Sequence, residues 1–224
     1  MNVRVGVVQF PGTNCEFDTA DALRLIGVES VQLWHGEATL SGVDAVIVPG
    51  GFAHGDYLRP GAIARFSPVM GEIQRHAAEG RPVLGICNGF QVLTEAGLLP
   101  GALQKNAGLK FVCQPVELEV ASVGHSFGGS MAVGDRLMIP INHFEGNYVC
   151  DERTLAELHE HDQVVLRYVD NPNGSLDNIA AVSNKAGNVV GMMPHPERAT
   201  SLLLGSVDGL AVLGGLVDSA PASV

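Results

Sequence analysis

Residues 82–91 read Pro-Val-Leu-Gly-Ile-Cys-Asn-Gly-Phe-Gln, an apolar run that ends in a cysteine between two glycines. The first five residues have the composition of a short strand buried inside a parallel sheet. Cys87 follows directly, flanked by Gly85 and Gly89, and residues 88–96 have the apolar spacing of a short helix. The stretch therefore predicts a strand, a sharp glycine-flanked turn that carries a cysteine, and a helix.

Similar apolar runs recur upstream of this stretch, with helical segments between them. Strands are predicted over residues 3–10, 30–34, 44–48 and 82–86. Helices are predicted over residues 14–26, 67–78 and 88–96, and a glycine follows each helix as a stop signal. Strands that alternate with helices and are apolar almost throughout are typical of a doubly wound, mostly parallel α/β sheet.

The second half of the chain has a different pattern. Polar and glycine-rich turns there separate predicted antiparallel strands over residues 110–123, 131–141 and 164–169, and a predicted hairpin over residues 179–183 and 188–193. An apolar helix is expected over residues 201–217, and residues 221–224 are expected to fray. Because no repeat or linker interrupts the pattern, residues 1–224 are expected to form one domain, with an antiparallel extension of the sheet.

Composition and charge exclude several classes of protein. The 224 residues include 24 acidic and 13 basic side chains, a net charge of -11, which argues against a nucleic-acid-binding surface. Four cysteines are scattered without a CxxC pair, which favours free thiols over a disulfide framework or a zinc site. No apolar run reaches the length of a membrane span and the first residues lead into a strand pattern, so we expect a cytoplasmic protein.

Cys87 has the setting of a nucleophile. Catalytic groups in open α/β sheets gather at the carboxyl ends of the strands, which is where the pattern places this residue. The following helix would direct its N-terminal dipole at the sulfur and favour the thiolate. The backbone N–H of Asn88 would then be placed to hold an oxyanion. The alternative is a small buried hydrophobic residue, the usual role of a free cysteine.

His195 and Glu197 supply the remaining parts of a Cys–His–Glu triad. They follow a second apolar run, residues 189–193, and two prolines keep their segment extended, so both side chains point to the same side. The histidine could then face the thiol while the glutamate orients its far nitrogen. A loop histidine beside a solvated carboxylate is the alternative. Gly51, after another strand, could provide a second oxyanion donor.

Other reactive side chains have weaker patterns. His35 and His54 lie near strand ends without ligand-like partners, which favours surface or core positions. Residues 159–162, His-Glu-His-Asp, resemble a metal-binding cluster but lie in a polar stretch, and no metal site is predicted. Cys15, Cys113 and Cys150 have no base close in sequence, and structural roles are expected for them.

These motifs resemble those of the class I, triad-type glutamine amidotransferases. Residues 85–91 match the G-x-C-x-G-x-Q turn of that family, and residues 195–197 match its H-P-E. Over nearly the whole chain the resemblance is closer to one branch, the glutaminase subunits of phosphoribosylformylglycinamidine synthases. The segments that carry it are residues 10–15, 49–52, 55–59, 93–103, 110–113, 145–148 and 193–198.

The resemblance implies a flavodoxin-like fold with an antiparallel extension and a reaction. Cys87 would attack the side-chain amide of glutamine, and His195, held by Glu197, would protonate the leaving ammonia. The residues expected to contact glutamine are Gly51, Gln91, Asn142, His143, Phe144 and Glu145. The ammonia would pass to a large synthetase subunit that holds ATP and magnesium, with a small subunit bridging the two. No cofactor is expected in this chain, and neither nucleic acid nor membrane as a partner.

Two positions depart from the family pattern, and some alternatives stay open. Phe144 stands where the family usually has glycine and adds bulk at the expected glutamine loop, and Ala53-His54 replaces a more usual Ser-Tyr. An amidotransferase subunit of another pathway and a γ-glutamyl hydrolase would share the same fold and triad. A cysteine-elbow stress protein is a more distant alternative, because that group has no H-P-E.

Overall fold

A nine-stranded mixed sheet forms the centre of the computed structural model, which describes residues 3–40 and 42–220. The expectation that residues 221–224 fray lies outside the described residues. The strands are β1 (Arg4–Gln9), β2 (Glu29–Trp34), β3 (Ala45–Val48), β4 (Val83–Ile86), β5 (Ala102–Gln104), β6 (Val112–Val120), β7 (Arg136–His143), β8 (Asn147–Val149), β9 (Val164–Tyr168), β10 (Ile179–Ser183) and β11 (Val189–Met192). The helices are α1 (Glu16–Leu25), α2 (Pro68–Ala78), α3 (Asn88–Glu95), α4 (Glu152–Glu160) and α5 (Gly209–Ser219).

The sheet has a parallel half and an antiparallel half. Strands β2, β1, β3, β4 and β11 lie side by side and parallel, in that order. Strands β10, β9, β6 and β7 continue the sheet with antiparallel pairing. The predicted doubly wound sheet with an antiparallel extension is therefore confirmed. Strands β3, β4 and β11 are buried along their whole length, which explains their uninterrupted apolar composition.

The parallel half places four chain segments at one edge of the sheet. The carboxyl ends of β1, β3, β4 and β11 all lie at this edge because the four strands run in the same direction. Cys15, Gly51, Cys87 and His195 each follow one of these ends within a few residues. In open α/β sheets, ligand sites form at this edge.

The prediction of one helix over residues 201–217 is wrong in its first half. Leu202–Leu204 form a short 3-10 turn, closed by Gly205 with a φ of 97°, and α5 begins only at Gly209. A left-handed residue cannot continue an α-helix, so the chain reverses there. The leucines that suggested a buried helical face are largely exposed, Leu203 at 97%.

Other element boundaries also differ from the predictions. The strand expected over residues 131–141 begins at Arg136, because the residues before it form turns in which Asp135 accepts a hydrogen bond from the Ala132 N–H. Helix α4 and the small β5–β8 sheet were not predicted at all. The signal for α4 was Asp151, which caps the helix by accepting a hydrogen bond from the Thr154 N–H at 2.8 Å. Within the described residues, no helix has the length and apolar character needed to cross a membrane.

A buried histidine in α2 makes stability depend on pH. His76 is 4% exposed, and burial, with the charge of Arg81, lowers its pKa from the ordinary 6.5 to about 4. Between these two values the unfolded chain binds a proton at His76 and the folded chain does not. The free energy of unfolding therefore decreases as pH falls from 6.5 towards 4. We expect His76 to account for about 2 kcal/mol of lost unfolding free energy between pH 7 and pH 5.

Urea unfolding at the two pH values checks this expectation. His76→Leu should reduce the loss of unfolding free energy between pH 7 and pH 5 by that amount. An equal loss of unfolding free energy in the variant and the parent protein would show that His76 does not cause the pH dependence.

Candidate active site

Cys87 occupies a strained turn between β4 and α3. Its backbone has φ 50° and ψ -104°, in a region that residues with a side chain rarely adopt, and it is 6% exposed. Such strain recurs at nucleophiles that sit on a strand-to-helix turn. The backbone N–H of Cys87 donates to the Met192 carbonyl at 2.7 Å, which fixes the turn against the end of β11.

The two glycines beside Cys87 are required by close backbone contacts. A Cβ atom on Gly89 would lie 1.8 Å from the Val48 carbonyl oxygen, at the end of β3. A Cβ atom on Gly85 would lie 2.8 Å from the Gly89 backbone. The glycines therefore let α3 begin directly against the neighbouring strand, which brings the turn of Cys87 next to the end of β3.

Gly89→Ala is expected to lower the unfolding free energy by about 3 kcal/mol, because the new methyl group overlaps a backbone oxygen that cannot rotate away. Gly71→Ala in α2 is the matched control, since a Cβ atom there meets nothing within 4 Å and alanine favours the helix. The control should gain about 0.5–1 kcal/mol. Urea unfolding measures both, and equal stability of the two variants would contradict the packing argument.

His195 and Glu197 form a buried, hydrogen-bonded pair beyond the end of β11. The distance from His195 Nδ1 to Glu197 Oε1 is 2.6 Å, and the residues are 1% and 3% exposed. The His195 backbone N–H donates to the Pro140 carbonyl at 2.8 Å, which holds the segment against β7. Because Nδ1 donates to the carboxylate, Nε2 is the nitrogen left to act as a base.

The charges around His195 favour its protonated form. Burial opposes the charge on the imidazole, but the negative charges of Glu197 and of the Cys87 sulfur outweigh it, and the pKa of His195 lies well above its usual range. An imidazole with a raised pKa accepts the proton of a thiol readily. The electrostatics therefore suit an ion pair between a thiolate and an imidazolium.

The thiol and the imidazole are neighbours, but they are not hydrogen-bonded in this conformation. The Cys87 Sγ atom donates to the Asn142 carbonyl at 3.6 Å, and His195 Nε2 has no partner among the described residues. The Cys87 thiol hydrogen must therefore turn from the Asn142 carbonyl towards Nε2 before it can pass to His195. Loose contacts of this kind are common in catalytic sites without substrate.

A cavity of about 390 Å³ opens over Cys87 and His195. It brings together the residues predicted to contact glutamine, which are Gly51, Gln91, Asn142, His143, Phe144 and Glu145. The Gln91 side chain donates to the Glu145 carbonyl, which fastens α3 to the loop after β7. Phe144 is 36% exposed, and its ring lies 6.0 Å from the Lys105 ammonium group. The contacts of these residues with glutamine remain predictions.

Asn88 has a structural task besides its predicted backbone role. Its side-chain oxygen accepts a hydrogen bond from the Ala53 N–H at 2.9 Å, in the turn that follows Gly51. Its amide group donates to Asp56 at 3.0 Å and to Gln91 at 2.9 Å. Asn88 therefore couples the two turns that are predicted to form the oxyanion hole. The oxyanion role of the Gly51 and Asn88 N–H groups remains a prediction.

Cys15 borders the catalytic cavity, and the structural role predicted for it stays a prediction. Its Sγ atom, a ring nitrogen of His195 and a carboxylate oxygen of Glu197 all lie within 4.8 Å of one another. The Arg198 guanidinium donates to the Cys15 sulfur at 3.2 Å. No base lies near Cys15 in sequence, but its position just after β1 places it at the active edge of the sheet. That position was the sequence signal that could have placed Cys15 beside the site.

The other reactive residues lie outside the cavity. Cys113 is exposed on β6, and Cys150 is half-buried after β8. His35 and His54 pack edge-to-face with ring centroids 5.2 Å apart. His159, at the end of α4, forms an ion pair with Asp177 at 3.0 Å.

Comparisons with known proteins agree with this geometry. A family model described as a CobB/CobQ-like glutamine amidotransferase domain matches residues 2–208. Phosphoribosylformylglycinamidine synthase subunit PurQ of Rubrobacter xylanophilus is 56% identical over 97% of this chain and 99% of its own length. The subunit of the same name from Lacticaseibacillus paracasei is 54% identical over 96% of this chain and 95% of its own length.

A solved structure gives the same answer for the fold. A chain in the structure of PurLQS from Thermotoga maritima superposes with a TM-score of 0.90 at 42% identity, over 97% of this chain and 99% of that chain. This chain therefore belongs to the CobB/CobQ-like glutamine amidotransferases and, within them, to the family of the PurQ subunits of phosphoribosylformylglycinamidine synthase.

Proposed function

We propose that this chain is the glutaminase subunit of phosphoribosylformylglycinamidine synthase, with residues 1–224 acting as one catalytic domain. The observation that carries the proposal is that Cys87 and His195, from strand ends about a hundred residues apart, border one cavity, with Glu197 hydrogen-bonded to the far nitrogen of His195. A thiol, an imidazole and an orienting carboxylate are the parts needed to cleave an amide through a thioester. In this family, the amide that is cleaved is the side chain of glutamine.

The first half of the reaction forms a thioester. The Cys87 thiol turns from the Asn142 carbonyl to His195 and transfers its proton to Nε2. The sulfur then attacks the amide carbon of glutamine, and the oxyanion accepts hydrogen bonds from the N–H groups of Gly51 and Asn88. His195 returns the proton to the amide nitrogen, the carbon–nitrogen bond breaks, and ammonia leaves.

The second half of the reaction releases glutamate. A water molecule takes the place of ammonia beside His195 and gives a proton to Nε2 as its oxygen attacks the thioester carbon. The carbon–sulfur bond breaks, His195 protonates the departing sulfur, and the free enzyme returns. Glu197 stabilises the imidazolium in both halves, and its buried 2.6 Å contact leaves His195 no other orientation.

The ammonia would be used elsewhere in the complex. A larger synthetase subunit would hold ATP and magnesium and use the ammonia to convert formylglycinamide ribonucleotide to its amidine. A small third subunit would bridge the two. The cofactor chemistry would thus belong to the partner, and we place the complex in the cytoplasm.

Reconstitution with the synthetase and bridging subunits tests the proposal. The mixture should form the amidine from glutamine. This subunit alone should release ammonia only slowly, because its site is expected to need contacts with the partner to reach its catalytic arrangement. Synthetase without this subunit should accept free ammonia but not glutamine. A complex that uses ammonia but never glutamine would contradict the proposal.

A further inference from the structure

A second thiol lies beside the buried pair of His195 and Glu197. The Sγ atom of Cys15, a ring nitrogen of His195 and a carboxylate oxygen of Glu197 are all within 4.8 Å of one another, and all three residues are buried. We call these three residues the Cys15 cluster. Cys15 directly precedes α1 and the other two follow β11, so the fold assembles the cluster and no CxxC spacing marks it in the sequence.

The Cys15 cluster presents lone pairs that nothing in the described part of the chain uses. Glu197 Oε2 is buried and has no hydrogen-bond partner among residues 3–40 and 42–220. The Cys15 sulfur accepts an N–H from Arg198 at 3.2 Å, so it also acts as an acceptor. Buried polar atoms are normally satisfied by a protein group, a water molecule or an ion. An orphaned carboxylate oxygen beside a sulfur acceptor therefore points to a cationic ligand.

The nitrogen of His195 that can share an ion with Glu197 is Nδ1. It lies 2.6 Å from Glu197 Oε1, whereas Nε2 is on the other side of the ring and points away from the carboxylate. A hydrogen occupies this short contact in the metal-free protein. A metal ion that replaces the hydrogen would have an imidazole nitrogen, a carboxylate oxygen and the Cys15 thiolate as ligands.

This set of ligands selects the metal. Zn²⁺ binds thiolate, imidazole and carboxylate in tetrahedral sites, and three protein ligands with one water molecule are a common arrangement. Mg²⁺ and Ca²⁺ prefer oxygen ligands, so they would not compete for a site with a sulfur and a nitrogen. A thiolate and a carboxylate together neutralise the charge of a divalent ion when the imidazole binds as a neutral ring.

Arg198 is the cation that a metal would meet at this site. Its guanidinium contacts the Cys15 sulfur but also pairs with Asp18 at 3.4 Å. Arg198 can therefore give up the sulfur and keep an anionic partner. Cys15, His195 and Arg198 all border the catalytic cavity, which gives a small ion a path to the cluster.

We propose that Cys15, His195 and Glu197 form a zinc site that inhibits the enzyme. As the metal bonds form, the Nδ1 hydrogen of the imidazolium and the thiol proton of Cys15 pass to solvent, and the remaining ring hydrogen stays on Nε2. His195 then cannot accept a proton at Nε2 from Cys87 or from water, and glutamine is not cleaved. Zinc is a regulator here and not a cofactor. The inhibition rests on the proposed function, whereas the binding of zinc does not.

Zinc inhibition of the reconstituted complex is the first test. Zn²⁺ at buffered free concentrations should block amidine formation from glutamine and leave the ammonia-dependent reaction intact, with Mg²⁺ present throughout. Cys15→Ser keeps a hydroxyl for the contacts with Asn14 and Arg198 but removes the sulfur ligand. It should raise the free zinc needed for half-inhibition more than about 100-fold, since loss of even an outer partner of a metal ligand costs about 10- to 100-fold. Each rate is divided by the rate of the same variant without zinc.

Cobalt binding to this subunit alone is the second test, and it does not depend on activity. Co²⁺ accepts the same ligands as Zn²⁺, and a thiolate ligand gives it a charge-transfer band in the near ultraviolet. The parent protein should show this band, zinc should remove it, and Cys15→Ser should lack it. Glu197→Gln should weaken cobalt binding. Cys150→Ser, at a half-buried thiol outside the catalytic cavity, is the matched control and should keep the band.

Three results would overturn the inference, once thermal unfolding has verified that the variants fold. Equal zinc inhibition of the parent and of Cys15→Ser would mean that zinc acts on Cys87 without the cluster. Equal inhibition of the ammonia-dependent reaction would place the ion on the synthetase. A cobalt band that is absent from the parent, or unchanged in Cys15→Ser, would show that no metal binds Cys15. Failure of the proposed function looks different, because cobalt would still bind while the parent complex used ammonia and not glutamine.

Discussion

Replacing Cys87 with alanine is expected to abolish glutamine-dependent amidine formation by the complex and to leave the ammonia-dependent reaction at its parent rate. The Cys87 sulfur is the only protein atom that bonds to the substrate carbon in the proposed mechanism. Without it, the remaining hydrogen-bond donors cannot form the thioester, and the loss should be at least about 10³-fold in kcat/KM. Assays of amidine formation with either nitrogen source, on the same preparation, measure both outcomes.

The control for this variant is another free thiol outside the cavity. Cys113 is exposed on β6, so Cys113→Ala should behave like the parent protein with both nitrogen sources. Loss of the ammonia-dependent reaction along with the glutamine-dependent one in Cys87→Ala would mean that Cys87 holds the subunit or the complex together. Such a result would remove the basis for calling it the nucleophile.

Replacing Glu197 with glutamine is expected to lower kcat for glutamine by about 10³- to 10⁴-fold with little change in KM. The negative charge of Glu197 raises the pKa of His195 against the effect of burial, and its oxygen fixes the hydrogen on Nδ1. A neutral amide removes that charge and can turn its NH₂ group towards Nδ1, which places the proton on Nε2, the wrong nitrogen for a base. Steady-state kinetics of the reconstituted complex give kcat and KM separately.

The pH profile provides a second readout for Glu197. The charge of Glu197 raises the pKa of His195 in the parent protein, so its removal lowers that pKa. The pH dependence of the glutamine-dependent reaction, which reports on the Cys87–His195 pair, should therefore shift. Glu160→Gln, at an exposed glutamate in α4, is the matched control and should leave the profile unchanged. A loss of less than tenfold in Glu197→Gln would mean that another group orients His195.

The sequence was sufficient to predict the catalytic edge because local signals and topology agree there. Buried parallel strands are apolar throughout, so β3, β4 and β11 were recognisable, and their carboxyl ends meet by the geometry of the sheet. The sequence also predicted a sharp glycine-flanked turn at Cys87, but the contact that requires glycine at position 89, with Val48 of β3, is a tertiary one.

Features that depend on tertiary contacts were not predictable in the same way. The apolar residues 202–204 resemble a helical face, but Gly205 in a left-handed conformation ends the turn and leaves the leucines exposed. Cys15 has no base near it in sequence, and only the folded sheet brings it to His195. The hydrogen bond from Cys87 to the Asn142 carbonyl joins residues 55 positions apart, so no spacing rule could reveal it.

The central claim is that Cys87, among the two thiols that border the cavity, attacks the amide carbon of glutamine. A glutamine analogue that carries a diazomethyl ketone in place of the amide alkylates the nucleophilic sulfur at that position: the sulfur bonds to the diazo carbon, and dinitrogen leaves. After incubation of the reconstituted complex with this analogue, peptide mapping by mass spectrometry should find the adduct on Cys87, with glutamine slowing its formation and Cys87→Ala preventing it. An adduct on Cys15, or inactivation without any adduct on Cys87, would contradict the account.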